Sequence, residues 1–229
     1  MKLTNKRIRK GFTLVELLVV IAIIVALAAL ATPAIFKALG RAAMAESVSN
    51  GRQVKITMDL FAMDNDGVYP SEDSADFYGT GSTTSNDLFK QLFASGSTNS
   101  EKIFWVKGSQ MCNKAKPDDV TTTGGGFSQP KTLEAGDCGW AMVEDQTTTS
   151  NPSRPLIFDS PPNGTGLVFD GELWGLKAIV VRIDGSANPE RLNPSFKLLD
   201  GEGVQLLTAA SEIWGSSVTN VDIAYPLAP

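Results

Sequence analysis

Histidine is missing from all 229 residues. Without it there is no Ser-His-Asp or Cys-His nucleophile pair and no histidine-ligated catalytic zinc, and the commonest general base near neutral pH is gone. Cysteine occurs only twice, at Cys112 and Cys138, which is too few for a zinc framework lacking histidine. Gly124-Gly125-Gly126 runs into Phe-Ser-Gln-Pro, not into the Lys-Ser/Thr that opens a phosphate-cradling helix. The adjacent acids Asp118-Asp119 and Glu144-Asp145 stand in turn-like contexts, where solvated carboxylates are the rule and a glycosidase pair the exception. Trp105, Trp140, Trp174 and Trp214 read as core rather than as a ligand platform. Together these absences argue against an enzyme.

The N-terminus is also one-sided in charge. Lys2, Lys6, Arg7, Arg9 and Lys10 precede the first acid, Glu16. From Leu17 to Phe36 no charge occurs, and only Thr32 and Pro33 interrupt the hydrocarbon. About 20 apolar residues in a helix span ~30 Å, the thickness of a bilayer core. Glu16 stands at the edge of this run. A carboxylate inside a membrane helix costs on the order of 3 kcal/mol and calls for a partner. Cutting the chain between Gly11 and Phe12 would supply one, an α-amino group four residues, or about one helical turn, from Glu16.

Gly11-Phe12-Thr13-Leu14-Val15-Glu16-Leu17-Leu18 resembles the cleavage and methylation motif of type IV prepilins and type II secretion pseudopilins. The resemblance implies that a prepilin peptidase cuts after Gly11 and methylates Phe12. It also implies that Glu16 pairs with a neighbouring subunit's terminal amine, and that Pro33 is the helix-kinking proline common in the family. The match is close over roughly residues 6–36 and loose beyond. A Gly-x-Tyr-Pro turn at Gly67-Val68-Tyr69-Pro70 resembles the major-pseudopilin branch. An apolar strand followed by Asp184-Gly185-Ser186 weakly resembles the C-terminal part of bacterial pilin-like sequences. The competing signal, a secretory signal peptide cut near Ala29-Leu30-Ala31, needs an apolar region of 7–15 residues and leaves Gly11 and Glu16 without a role.

Removing residues 1–11 takes away five positive charges and no negative, moving the formal charge from −5 to −10. So acidic a chain disfavours nucleic acid as a partner. The basic leader keeps the N-terminus cytoplasmic and sends the remainder across the membrane; the resemblance implies a single-pass inner-membrane protein with a periplasmic or extracellular domain that ends in a filament. In that oxidising compartment a Cys112–Cys138 disulfide is expected. It would close a loop of about 26 residues for roughly 3 kcal/mol.

One helix is expected from Phe12 to about Met63, bent or loosened by Pro33 near Ala29. Ile35, Leu39, Ala43, Val54, Met58 and Phe61 form a stripe along it. Ser47-Val48-Ser49-Asn50-Gly51 is its weakest stretch by propensity. Asp64-Asn65-Asp66-Gly67 stops it. Asp64 and Asp66 have the spacing of calcium ligands, but the remainder of a calcium loop is missing, so a solvated turn accounts for them and no cofactor is expected. Asp87–Phe93 reads as a short helix capped by Ser85 or Asn86. Strands are expected at Ile103–Val106, Gly139–Val143, Pro155–Phe158, Gly166–Phe169, Leu176–Ile183 and Phe196–Leu199. A last helix is expected over Gly203–Ile213, then an irregular tail over Val221–Pro229.

The expected fold class is α+β, the pilin fold. A long N-terminal helix, membrane-spanning in its first half and amphipathic in its second, packs on a small antiparallel sheet with one face covered and one solvated. The divisions are a leader at 1–11, a transmembrane and filament-core helix at 12–36, its amphipathic continuation at 37–63 and an exported globular domain at 64–229. The implied function is a structural subunit polymerising into a type IV pilus or type II secretion pseudopilus. Its partners would be the prepilin peptidase, other pilin subunits, inner-membrane assembly machinery and lipid. The alternative is a membrane-anchored exported adhesion or ligand-binding protein using the same anchor.

Overall fold

The computed structural model describes residues 13–112, 116–117, 127–128, 130–162 and 166–229. The processing positions Gly11 and Phe12 lie outside the described residues, as do Asp118, Asp119 and Gly124 to Gly126. The chain divides into two compact units, residues 1–42 and 43–229.

Helix α1 runs unbroken from Leu14 to Met63, with Pro33 inside it. Every residue from Thr13 to Ala42 is exposed. From Ala43 onward the helix has an inward face of Ala43, Ser47, Gly51, Val54, Lys55, Met58, Phe61 and Ala62, spaced as one side of a 3.6-residue helix requires. Its most intimate contact is at Gly51. A Cβ there would stand 2.8 Å from Val181 Cγ2 and 3.0 Å from Trp140 Cη2. The low-propensity glycine is therefore the point where backbone meets sheet. Lys55, buried on the same face, places its amine 2.5 and 2.6 Å from the two carboxylate oxygens of Asp59 and over the ring of Tyr69, whose hydroxyl also donates to Asp59.

The helix ends where the sequence places its stop. Gly67 takes φ +81° and its N–H reaches back to Ala62 O, a left-handed glycine closure. Asp64 and Asp66 are exposed in this turn. Helix α2 (Glu72–Tyr78) follows and is unanticipated. Helix α3 (Ser85–Ala94) is capped by Thr84, one residue before the expected caps. Ser85 and Asn86 instead turn inward, donating to Trp140 O and Leu133 O.

The sheet has five antiparallel strands, β1 (Trp140–Val143), β2 (Pro155–Asp159), β3 (Lys177–Arg182), β4 (Ala187–Arg191) and β5 (Ile223–Ala224), in the order β4-β3-β2-β1-β5. The α+β class and the packing of α1 on an antiparallel sheet are as expected. Five local expectations are corrected. Ile103–Val106 is not a strand, because a 3₁₀ turn occupies Glu101–Phe104. Gly166–Phe169 and Phe196–Leu199 make no ladder, though Leu198 and Leu199 each form an isolated bridge. Gly203–Ile213 is a succession of turns ending in a 3₁₀ turn at Glu212–Trp214. The tail is ordered by pairing, with Met142 opposite Ala224, Val143 opposite Ile223 and Leu227 N donating to Asn86 Oδ1.

The sheet also has no solvated face. Against α1 lie Trp140, Met142, Ile157, Ile179 and Val181. On the other side Ala141, Val143, Phe158, Ala178 and Val180 are covered by Leu192, Leu198, Leu206, Leu207 and Trp214. Strands β1 and β2 are buried at every residue, so β1 and β2 up to Phe158 read as continuous apolar runs, as two-sided burial demands. All four tryptophans are buried.

Gly51→Ala is expected to lower stability. Alanine gains about 1 kcal/mol in helix propensity, but overpacking against a ring and a strand residue costs about 1–3 kcal/mol. Urea unfolding of the full chain in detergent, followed by tryptophan fluorescence, should show an earlier midpoint. An unchanged or later midpoint would mean that the helix can lift off the sheet freely.

Candidate functional site

The start of α1 is the place where chemistry and sequence pattern coincide. Thr13 is non-helical and precedes the first helical residue. Its N–H and hydroxyl donate to Glu16 Oε2 at 2.9 and 2.8 Å, while Glu16 N donates to Thr13 Oγ1 at 3.3 Å. This is a reciprocal capping box, in which Thr13 and Glu16 satisfy amides that a helix N-terminus leaves unpaired. The pattern was readable in advance, since Thr-x-x-Glu before an apolar run is its signature. Thr13 is thus a functional neighbour of Glu16 that the cleavage motif alone does not mark out. Among the described residues, Glu16 Oε1 takes no hydrogen bond. Phe12 lies outside the described residues, and its pairing with Glu16 stays a proposal.

Helix α1 is the one described helix long and apolar enough to cross a membrane. None of its residues from Leu14 to Ala42 is buried by the protein. Such a segment needs hydrocarbon or other apolar helices around it.

The second site residues are the cysteines. Both are free in the structure, Cys138 buried and Cys112 partly so, and Cys112 adds to burial's upward push on the Cys138 thiol. Each sulfur is committed to backbone. Cys112 Sγ accepts from Val106 N at 3.3 Å, and Cys138 Sγ donates to Trp140 O at 3.5 Å. Cys112 Sγ also lies 2.9 Å from where a Cβ on Gly139 would be. Burial pushes the Cys112 thiol up to about 12 and Cys138 upward as well, so neither is a thiolate nucleophile at neutral pH.

In the 43–229 unit a cleft of about 280 Å³ is lined by Glu144, Asp145, Arg154, Trp214 and Asp222 among others. Burial, then Asp145, Asp222 and Glu72, hold the Glu144 carboxyl above its usual range. Arg154 is spent on the carbonyls of Ile213 and Trp214 and on Gln146 Oε1. Trp214 is itself buried. Among the described residues no group of three or more His, Cys, Asp or Glu is placed to hold a metal, and Asp64 and Asp66 are no exception.

One buried acid passed unnoticed in the sequence. Asp159, at the end of β2, accepts Ile179 N at 2.7 Å and the Trp174 indole N–H at 2.9 Å. Burial pushes its carboxyl up to about 7 against the pull of those donors.

The chain matches the family model of the prokaryotic N-terminal methylation motif over residues 6–32, the type IV prepilin and pseudopilin signature. No curated protein and no solved structure matches the chain.

Because the Asp159 carboxyl is raised above its unfolded value, the folded state holds more protons between about pH 4 and 7. Stability therefore falls as pH rises through that window and levels off above it. Asp159→Asn should flatten this slope. It should also cost about 1–3 kcal/mol, since an amide cannot accept from both donors. Unfolding free energies of the two proteins across pH 4–8 check this, and parallel curves would sink the assignment.

Proposed function

We propose that this chain is a structural pilin-like subunit, cut after Gly11 by a prepilin peptidase, methylated at Phe12 and assembled into a type IV pilus or type II secretion pseudopilus. The observation that carries the reading is Glu16. It is an acid at the mouth of an apolar helix with no protein around it, inside the methylation signature at residues 6–32. The prepilin motif and the apolar helix point to single-pass membrane anchoring.

The mechanism follows from electrostatics in an apolar medium. Cleavage creates a cation at Phe12, one turn from Glu16. In lipid the amine and carboxylate neutralise one another within the helix end or between adjacent chains. When helices gather, an unpaired carboxylate costs on the order of several kcal/mol, so the register that pairs Glu16 with a neighbour's amine is selected. Apolar helix surface drives association, and the ion pair sets its axial position. The 43–229 unit then forms the outside of the polymer.

The anchored ligand-binding alternative would draw on the acidic cleft at Glu144, Asp145 and Asp222. Its cation and its tryptophan are already occupied internally, which favours the subunit reading. No catalytic role is assigned, in keeping with the missing histidine.

Two measurements test this. Mass spectrometry of the native protein should show a chain beginning at N-methylated Phe12. A chain beginning at Thr32, or one retaining its leader, would overturn the reading. Glu16→Val should insert in the membrane as the parent does but be lost from sheared filaments. Undiminished assembly of that variant would remove the register mechanism.

A further inference from the structure

The 43–229 unit gathers cations at one place in a chain that is acidic overall. Lys177 and Arg191 stand directly opposite one another where β3 meets β4, so their side chains leave the sheet side by side on one face. The turn after β4 brings Lys197 alongside, since Leu192 N donates to Leu176 O and Asn193 N to Lys197 O. Like charges placed opposite repel, and among the described residues none of the three cations has a carboxylate within ion-pair reach. Two nearby acids are engaged elsewhere. Glu190 pairs with Arg182, and Asp170 accepts from Glu172 N and Leu173 N. Glu172 is the exposed acid of that turn.

Beside the cations lies apolar surface. Leu176, Phe196 and Val168 are 44, 40 and 49 % exposed. Leu176 and Phe196 meet over Gly171, where a Cβ would lie 2.3 Å from the Phe196 ring and 3.3 Å from Leu176 Cδ2. Phe169 N donates to Phe196 O, which places Val168 next to them. Leu176 has φ +60° and Phe196 φ +57°, a left-handed backbone that bulky side chains adopt at a cost. Both keep it while remaining exposed, so burial within this unit is not the return on that strain.

The topology puts this patch at the end of the sheet toward Ala43. Strand β1 leads from Trp140, against Gly51, to Gln146 and Thr147, which bond Tyr69 and Val68 just past the end of α1. Strand β3 is parallel to β1 with β2 between them, so its start at Lys177 lies at the opposite end, where α1 enters the unit. Ala43 is seven residues beyond Phe36, the last of the uncharged run. That is about 10 Å of helix rise, comparable with the Debye length at moderate salt.

We infer that this patch docks on the anionic phospholipid surface of the membrane that α1 enters, with Lys177, Arg191 and Lys197 on lipid phosphates and Leu176, Phe196 and Val168 in the headgroup layer. Exposed apolar side chains among unpaired cations are the chemistry of an interfacial contact. The inference rests on the anchoring reading and adds a second, reversible contact with the same bilayer.

The test uses the full chain in vesicles of phosphatidylglycerol and phosphatidylcholine in equal parts, with phosphatidylcholine alone for comparison. A fluorophore is attached at Ser195→Cys, beside the patch, or at Thr149→Cys, exposed at the far end near Gly67. A lipid carrying a spin label on its headgroup is the quencher. In the anionic vesicles the Ser195→Cys label should be quenched and the Thr149→Cys label should not. Lys177→Gln should lower the ratio of docked to undocked unit about fivefold, the share of one cation near an anionic surface. Replacing Lys177, Arg191 and Lys197 together by Gln should bring quenching down to the phosphatidylcholine level. Molar salt, which shortens the Debye length to about 3 Å, should release the unmutated patch, a readout independent of how the triple variant folds. Equal quenching at both positions, or quenching at Ser195→Cys that survives molar salt, would overturn the docking while the chain still floats with the vesicles. So would shielding at Ser195→Cys that appears in phosphatidylcholine and grows with protein density, since a second copy would then be the cover. A parent chain that does not float with vesicles at all would overturn the anchoring reading as well.

Discussion

A single helix here must satisfy two different surroundings, and the rest of the molecule follows from that. Up to Ala42 the helix has no protein around it. From Ala43 it has a sheet on one side. In the first part stability comes from an apolar exterior. In the second it comes from contact, and contact is closest where the helix has no side chain at all. Gly51 lets the backbone rest on Trp140 and Val181, and the neighbouring Ser47, Val54 and Met58 are buried in consequence. A residue that weakens the helix in isolation is what allows it to dock.

Docking on one face makes the other face conspicuous. The sheet is covered by α1 on one side and on the other by the turns that carry Leu192, Leu198, Leu206, Leu207 and Trp214. With both faces closed, the large apolar surface left on this unit's stretch of α1 is Ile56, Leu60 and Met63. The helix N-terminus shows the same economy at smaller scale. Thr13 and Glu16 cap one another, and the carboxylate still retains an oxygen with no described partner. Glu16 thus stabilises its own helix, and on the proposed reading the same carboxylate is the partner of a terminal amine.

The buried polar groups in the 43–229 unit are mostly structural. Lys55 is neutralised by Asp59 beside Tyr69, Arg154 is absorbed by the carbonyls around Trp214, and Asp159 holds Trp174 and β3 by accepting a hydrogen bond from each.

What the amino-acid order determined by itself was whatever depends on near neighbours. The helix from Leu14 to Met63, its stop at Asp64-Asn65-Asp66-Gly67, the cores of β1, β2 and β3, and the Thr-x-x-Glu pattern at Glu16 are set by periodicity, capping and charge within a few residues. The tertiary structure alone decided the rest. Strand β4 contains Asn188, Pro189 and Glu190 and has no apolar alternation; it is a strand because it pairs with β3 across a tight turn. Strand β5 is two residues beside Pro226, ordered only by β1. Gly203–Ile213 has helical spacing yet folds as turns, because its leucines must reach over the far face of the sheet. Local order can state a preference, but where a segment's apolar atoms find their cover is a matter of long-range contact, and there the cover prevailed.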